Sequence, residues 1–310
     1  MEIVSYRDLK SKDGLLLLMD HAFGWPFNPM RFEEFIRIDP RLRNGAVGFA
    51  GVERGHVIGF VGVMDLATRT LDGKIESAGG IYGVATLPGH VRKRVSMTLM
   101  EHVHEYFKGK GYRFSFLCTS RTIVAHSMYA KLGYVDLLER PSAYGILMSR
   151  KSKAASSRMK TEKPDLDRIL KIYNEHVKGR AGLVVRDKDH LNLLWKSEEF
   201  TAKDCVISEK GYVLFKRNTS TWIRGTWIRE LVALNTKEMH RLLGLVETKA
   251  KELVYDRTVM DERLLEVYRS RGYTVGKRSH AVMMGKPLTA DTSVKQTYGN
   301  SFYLTGLDFF

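Results

Sequence analysis

The chain has 310 residues, 44% hydrophobic and 27% charged, a globular composition that excludes a disordered or fibrous protein. No stretch reaches the ~18 apolar residues of a membrane span, so no membrane partner is expected, and the run Leu15 to Met19 is too short for a signal-peptide core. The net charge of +15 favours anionic partners, and the two cysteines, Cys118 and Cys205, lack metal-ligand spacing, which suits a cytoplasmic setting.

In chain order, Glu2–Tyr6 reads as a short strand. Leu15–Phe23 and Arg31–Ile38 read as helices, broken by Gly24-Trp25-Pro26 and Asn28-Pro29. Ala46–Glu53 and His56–Asp65 form a hairpin pattern through Arg54-Gly55, and Gly80–Thr86 is a further strand. Val95, Leu99, Val103 and Phe107, four residues apart, predict one buried face of a helix over Arg94–Gly109. Arg113–Cys118 is a strand, Ile123–Leu132 a short helix, and Tyr144–Met148 a strand that closes a first domain over residues 1–150.

Residues 151–163, Lys, Ser, Ala and Arg with little to bury, read as a basic linker. A second series over 164–288 follows: a helix at Asp165–Val177, strands at Cys205–Ile207, Tyr212–Phe215, Trp222–Ile223 and Ile228–Leu234, and helices at Thr236–Leu253 and Leu264–Ser270. Residues 289–310 read as an appended tail. The two halves echo each other. Tyr129-Ala130-Lys131-Leu132-Gly133-Tyr134 returns as Tyr268-Arg269-Ser270-Arg271-Gly272-Tyr273, and each is followed about ten residues later by an apolar strand, Ala143–Met148 and His280–Met284. That order implies a duplicated fold.

The chemistry is concentrated where the strand Ile81–Thr86 passes through Pro88-Gly89 into Arg92-Lys93-Arg94 and the long helix. A helix N-terminus presents free N–H groups and positive partial charge, and three basic side chains add to it, so the place suits a phosphate or pyrophosphate. A strand ending V-A-T-x-P, a basic turn, a helix, a strand and a helix ending Y-x-x-x-G-Y resembles the GCN5-related N-acetyltransferase (GNAT) family.

The resemblance implies an α/β (α+β) fold of two tandem GNAT-like domains, each a mixed, mostly antiparallel sheet flanked by helices. It implies acetyl-CoA as co-substrate, held by Val84, Ala85 and Thr86 of the splayed strand and by Arg92, Lys93, Arg94, Val95 and Ser96 of the loop. It also implies that Tyr129 is the general acid toward the departing thiolate. The family's R-x-x-G-x-G/A fits in two frames. With Arg92 at the arginine, Val95 and Met97 take the small-residue places; with Val91 there, Arg94 and Ser96 take them. The second half has no such loop and reads as a degenerate partner domain. The tandem arrangement and the ending Leu307-Asp308-Phe309-Phe310 resemble the Eis-type acetyltransferases, which implies a terminal carboxylate at Phe310 acting as base, although the sterol-carrier-like domain of that group has no counterpart here.

The expected function is acetyl transfer to a primary amine, of a small molecule or a protein lysine, by direct attack in a ternary complex; the alternative is a non-catalytic acyl-CoA-binding regulator of the same fold. A homo-oligomer is compatible with this reading, and nucleic-acid association is the third reading of the charge. Glu53, Asp65 and Glu76 are further candidates for the base, and Trp25, Phe27, Phe32 and Phe35 for the walls of an acceptor pocket. His102 and His104 read as a surface pair rather than a metal site, Ser157–Lys160 as a chance S-x-x-K, and the glycines of 45–51 and 59–62 as places of close packing or a bulge.

Overall fold

The computed structural model describes residues 1–147, 164–220 and 223–308. The basic linker, the S-x-x-K match, Trp222, and Phe309 with Phe310 lie outside the described residues. The described residues form two compact units: Met1–Leu138 with His280–Phe302, and Glu139–Ser279 with Tyr303–Asp308.

In the first unit β1 (Glu2–Ser5), α1 (Gly14–Phe23), α2 (Pro29–Ile38), β2 (Gly48–Glu53), β3 (His56–Arg69), β4 (Ile75–Thr86), α3 (Val95–Gly109), β5 (Phe114–Ser120) and α4 (Val124–Lys131) follow one another. The sheet order is β1-β2-β3-β4-β5, and only β4 and β5 run parallel. Val95, Leu99, Val103 and Phe107 of α3 are all buried against this sheet. Two glycines let the helix lie close. A Cβ on Gly59 would stand 2.6 Å from Val95, and one on Gly79 would stand 2.4 Å from the Phe107 ring. Each large side chain so buried contributes about 1.5–3 kcal/mol.

The second unit runs through β6 (Val135–Ile146, from Glu139 on), α5 (Leu166–His176), α6 (Lys188–Ser197), β7 (Cys205–Ile207), β8 (Gly211–Ser220), β9 (Ile223–Ala233), α7 (Thr236–Lys249), β10 (Leu253–Asp256) and α8 (Glu262–Ser270). Its sheet order is β6-β10-β9-β8-β7, with β9 and β10 the parallel pair. Each unit is thus a mixed, mostly antiparallel sheet flanked by helices, as expected.

The closing strands correct the sequence reading. Tyr144 and its neighbours pair with β10 of the second unit. Conversely, β11 (Thr274–Pro287) lays Ala281–Pro287 along β5 in the first unit. An apolar strand pattern tells that a strand exists but not which edge it completes. The tail is corrected too. Residues 289–302 belong to the first unit, where α9 (Val294–Tyr298) brings the Tyr298 hydroxyl to Glu76 at 2.8 Å and to Thr68 at 2.8 Å. Val294, Tyr298 and Phe302 are buried, so burial of these side chains holds the segment down.

The repeated Y-x-x-x-G-Y is a helix stop. Gly133 (φ 89) and Gly272 (φ 70) take the left-handed conformation that glycine allows, and the N–H groups of Tyr134 and Tyr273 each donate 3.0 Å to the carbonyls of Tyr129 and Tyr268. This is the Schellman arrangement, closed by tyrosine rings in contact at 6.0 and 4.9 Å.

His104 is buried rather than part of a surface pair. Its Nε2 lies 2.9 Å from the Tyr134 hydroxyl and its Nδ1 3.3 Å from Lys286 Nζ. Burial, then the Lys286 charge, hold its pKa down at about 3. An unfolded histidine titrates near ~6.5, so below that pH the unfolded chain binds a proton the native one refuses, and stability falls as pH drops toward 3. The loss is about 2 kcal/mol at pH 5. Urea titrations should show His104→Gln less stable than wild type at pH 7.5, with the gap shrinking by pH 5; a gap independent of pH would remove His104 as the cause.

Candidate active site

Between β3 and β4 the register runs from Arg69↔Ile75 to Gly62↔Tyr82 and resumes at Phe60↔Ala85, so β4 carries one extra residue, a β-bulge. Gly83 sits in it with φ 58, a conformation that few other residues adopt. On its other edge β4 pairs with β5 only from Gly79↔Ser115 to Ile81↔Leu117. Beyond that β5 pairs only on its other edge, where β11 runs along all of Phe114–Ser120, and Tyr82–Thr86 are left without β5. The two strands therefore part where Val84, Ala85 and Thr86 lie, and an elongated ligand can reach their backbone there.

Thr86 leads through the 3-10 turn Pro88–His90 into α3, and its hydroxyl lies 2.5 Å from that of Ser96 in the first turn of the helix. Arg92 (φ 65) and Arg94 (φ 62) both take the left-handed conformation where glycines usually stand. Of the two, Arg94 stands at a small-residue place in the frame with Val91 at the family arginine, and Arg92 at such a place in neither frame. Arg92, Lys93 and Arg94 are exposed at the N-terminus of a 15-residue helix. Val95 is buried in the core, so the loop can use its backbone N–H but not its side chain.

On the β3 side of the bulge, a cavity of about 420 Å³ opens between α1, α2 and the sheet. Trp25, Phe27, Phe32 and Phe35 do share it, together with Phe60 and Tyr82, and Gly83 of the bulge forms part of its wall. Its polar members are already engaged: Asn28 caps α2 by accepting from the Arg31 N–H at 3.2 Å, and Arg31 pairs with Glu34 at 2.8 Å. Phe60 and Tyr82 are not among the expected wall residues, because a strand residue's neighbours across a sheet are not local in sequence.

Residues 6–135 match the acetyltransferase (GNAT) domain family model. This segment is a GNAT domain. The fold is that of known acetyltransferases along most of the chain. A GCN5-related N-acetyltransferase from Kribbella flavida superposes with a TM-score of 0.67 at 18% identity, covering 93% of this chain and 72% of that one. Eis1 from Mycobacterium abscessus gives 0.57 at 18% identity, with 86% and 72% covered. A GCN5-related N-acetyltransferase from Sphaerobacter thermophilus gives 0.53 at 12%, with 92% and 95% covered. No curated protein matches the sequence.

In the GNAT domain Tyr129 is buried, and burial pushes its pKa up to about 12, so the phenol stays protonated at neutral pH. Its hydroxyl makes no hydrogen bond among the described residues, whereas that of Tyr268, its counterpart in the second unit, donates to Asp256 at 3.1 Å. The three carboxylates singled out in the sequence do not line the cavity. Asp65 pairs with Lys110 at 2.7 Å, Glu76 with Arg113 at 2.8 Å, and Glu53 lies 3.7 Å from His90. For Glu76 and Asp65 these are structural roles.

The second unit differs from the GNAT domain at the matching place. Its β9 leaves β10 after Ile228↔Asp256 and runs to Ala233, and Asn235 caps α7 at once, with no basic loop between. The segment Tyr303–Asp308 occupies this region: a Cβ on Gly306 would stand 2.3 Å from the Arg229 carbonyl oxygen. It is fixed by buried Arg186, which reaches Asp308 at 2.7 Å, Thr305 at 2.7 Å and Glu230 at 2.9 Å. Arg186→Met would leave Glu230 and Asp308 buried without a counter-charge, and breaking such a pair costs about 3–5 kcal/mol. Urea unfolding should show that loss, and Asp308→Asn added to Arg186→Met should recover part of it; a loss under 1 kcal/mol would mean that the tail is not held this way.

Proposed function

We propose that the GNAT domain transfers an acetyl group from acetyl-CoA to a primary amine carried on an apolar body. The observation that carries this reading is a juxtaposition at β4. The stretch Tyr82–Thr86, which β5 leaves open, leads to the basic loop on one side, and the bulge at Gly83 borders the aromatic cavity on the other. The loop's N–H groups and the charges of Arg92, Lys93 and Arg94 suit the pyrophosphate of the co-substrate, and the gap beside Val84–Thr86 suits its pantetheine arm.

The cavity is the acceptor's place. Its 420 Å³ lies in the range of small-molecule sites and far exceeds the need of an acetyl group. Among the described residues no carboxylate lines it, so a polycationic amine would lose hydration there without gaining a counter-charge. An aromatic or branched aliphatic body would instead gain contact with Phe32, Phe35 and Phe60. The neutral amine nitrogen attacks the thioester carbonyl carbon, forming the C–N bond as the C–S bond breaks. The nitrogen's proton passes to water, and Tyr129 donates its own to the departing sulfur, a role that a phenol kept protonated by burial can fill.

Two outcomes test this. In a thiol-release assay, 2-phenylethylamine should exceed spermidine by at least tenfold in kcat/KM, since burying a phenyl ring contributes about 1.5–3 kcal/mol; parity, or a preference for spermidine, would sink the acceptor assignment. Tyr129→Phe should lower kcat by ~10²-fold while acetyl-CoA affinity changes less than threefold. Full activity in that variant would leave Tyr129 only its helix-stop role.

A further inference from the structure

The second unit carries a separate pocket that the transfer reaction does not use. At the far end of the β8–β9 hairpin, the pairs Arg217↔Thr226, Asn218↔Gly225 and Thr219↔Arg224 form one wall. The connection from α7 to β10, with Lys249, Lys251 and Glu252, forms the other. The cavity between them measures about 390 Å³. It lies at the C-terminal end of α7, opposite the helix start where a cofactor loop would stand, so it is not a remnant of a cofactor site.

Its charge balance sets it apart. Arg217, Arg224, Lys249 and Lys251 face a single carboxylate, Glu252. Among the described residues none of the four cations makes an ion pair; Lys249 lies over the Phe215 ring at 5.6 Å, and the Asp204 charge acts on it more weakly than Arg217 does. Elsewhere in the same unit Arg229, Arg241, Arg263 and Arg271 are matched by Glu198, Glu238, Asp261 and Glu247. Crowding like charges in a concave site costs free energy unless an anion neutralises them. The crowding is felt at Lys249, whose pKa is lowered by burial and then by Arg217.

We infer that this pocket binds a small anion bearing several phosphate groups. Four cations against one carboxylate call for a ligand with about three negative charges, and guanidinium groups pair with phosphate oxygens in a bidentate fashion. The exposed Thr219 hydroxyl supplies a further donor for phosphate oxygens. Among the described residues the lining has no aromatic face on which a base could stack, which favours a compact polyphosphate over a nucleic-acid strand. The inference does not rest on the transferase reading.

The test uses inorganic tripolyphosphate as probe, by calorimetry at low salt, on the full chain carrying Arg92→Glu and Lys93→Glu so that the first unit's loop does not contribute. This chain should bind one tripolyphosphate, with affinity falling steeply as salt rises. Adding Arg217→Glu and Lys251→Glu should weaken binding at least tenfold, and the neutral pair Arg217→Gln and Lys251→Gln should fall between. All of these side chains are exposed, and circular dichroism checks that each variant folds. Equal affinity with and without the Arg217 and Lys251 changes overturns the site. So does binding of a 12-nucleotide RNA through the same residues when tripolyphosphate fails to bind.

Discussion

The arrangement of the first unit depends on one break in a hydrogen-bond ladder. A parallel pair of strands normally satisfies its backbone along its whole length, since unpaired N–H and C=O groups are costly to bury. Here β4 and β5 share only the register Gly79↔Ser115 to Ile81↔Leu117 before they separate. The bulge at Tyr82–Ala85 turns β4 away, and Gly83 is the residue that permits the turn. On its other edge β5 pairs with β11 along its whole length, Phe114 to Ser120, so β5 stays in the sheet where β4 leaves it. The open backbone of β4, the basic loop that follows it and the cavity beside the bulge are consequences of this one departure from regular pairing.

The second unit shows what happens when the same frame is not kept open. Its parallel strands also separate, beyond Ile228↔Asp256, but the chain's own Tyr303–Asp308 segment packs there and Arg186 binds it from within. The tyrosine that ends the helix is kept in both units for the same physical reason, the Schellman stop at Gly133 and Gly272. Its hydroxyl has diverged: without a hydrogen-bond partner among the described residues in one unit, bound to Asp256 in the other. A duplicated motif can therefore record a folding constraint in both copies and leave room for chemistry in only one.

Much of this was legible in the residues, unevenly. The apolar spacing of α3, the helix breakers around Trp25 and Pro29, and the repeated Gly-Tyr are local signals, and each marks a real element. The helix Lys188–Ser197 was missed, and Thr236–Leu253 was read as one helix where α7 ends at Lys249 and β10 begins at Leu253. Leu253, Val254 and Tyr255 continue an apolar pattern that helix and strand share over short stretches. The exchange of closing strands was not legible at all, because β6 and β11 have the same apolar character and only tertiary pairing distinguishes their destinations. The cavity was half legible: its α1–α2 aromatics stand together in sequence, but Phe60 and Tyr82 come from strands.

The loop shows how a missing glycine can be consistent with a phosphate site. Arg92 and Arg94 hold the left-handed conformation at a cost of about 1–2 kcal/mol each, because their Cβ atoms crowd the backbone there. Such strain persists only where the surroundings enforce it. Val95, buried beneath the loop, and the Thr86–Ser96 contact across its base provide that enforcement. In return, Arg94, at a place the family pattern gives to a glycine, and Arg92 near it carry guanidinium groups next to the helix N-terminus. A glycine loop binds an anion through close backbone approach alone; this one gives up some closeness and adds two formal charges, each able to form charge-assisted hydrogen bonds stronger than those of a neutral N–H. In the proposed reading, the sequence departure that most weakens the family match is thus electrostatically suited to the same ligand.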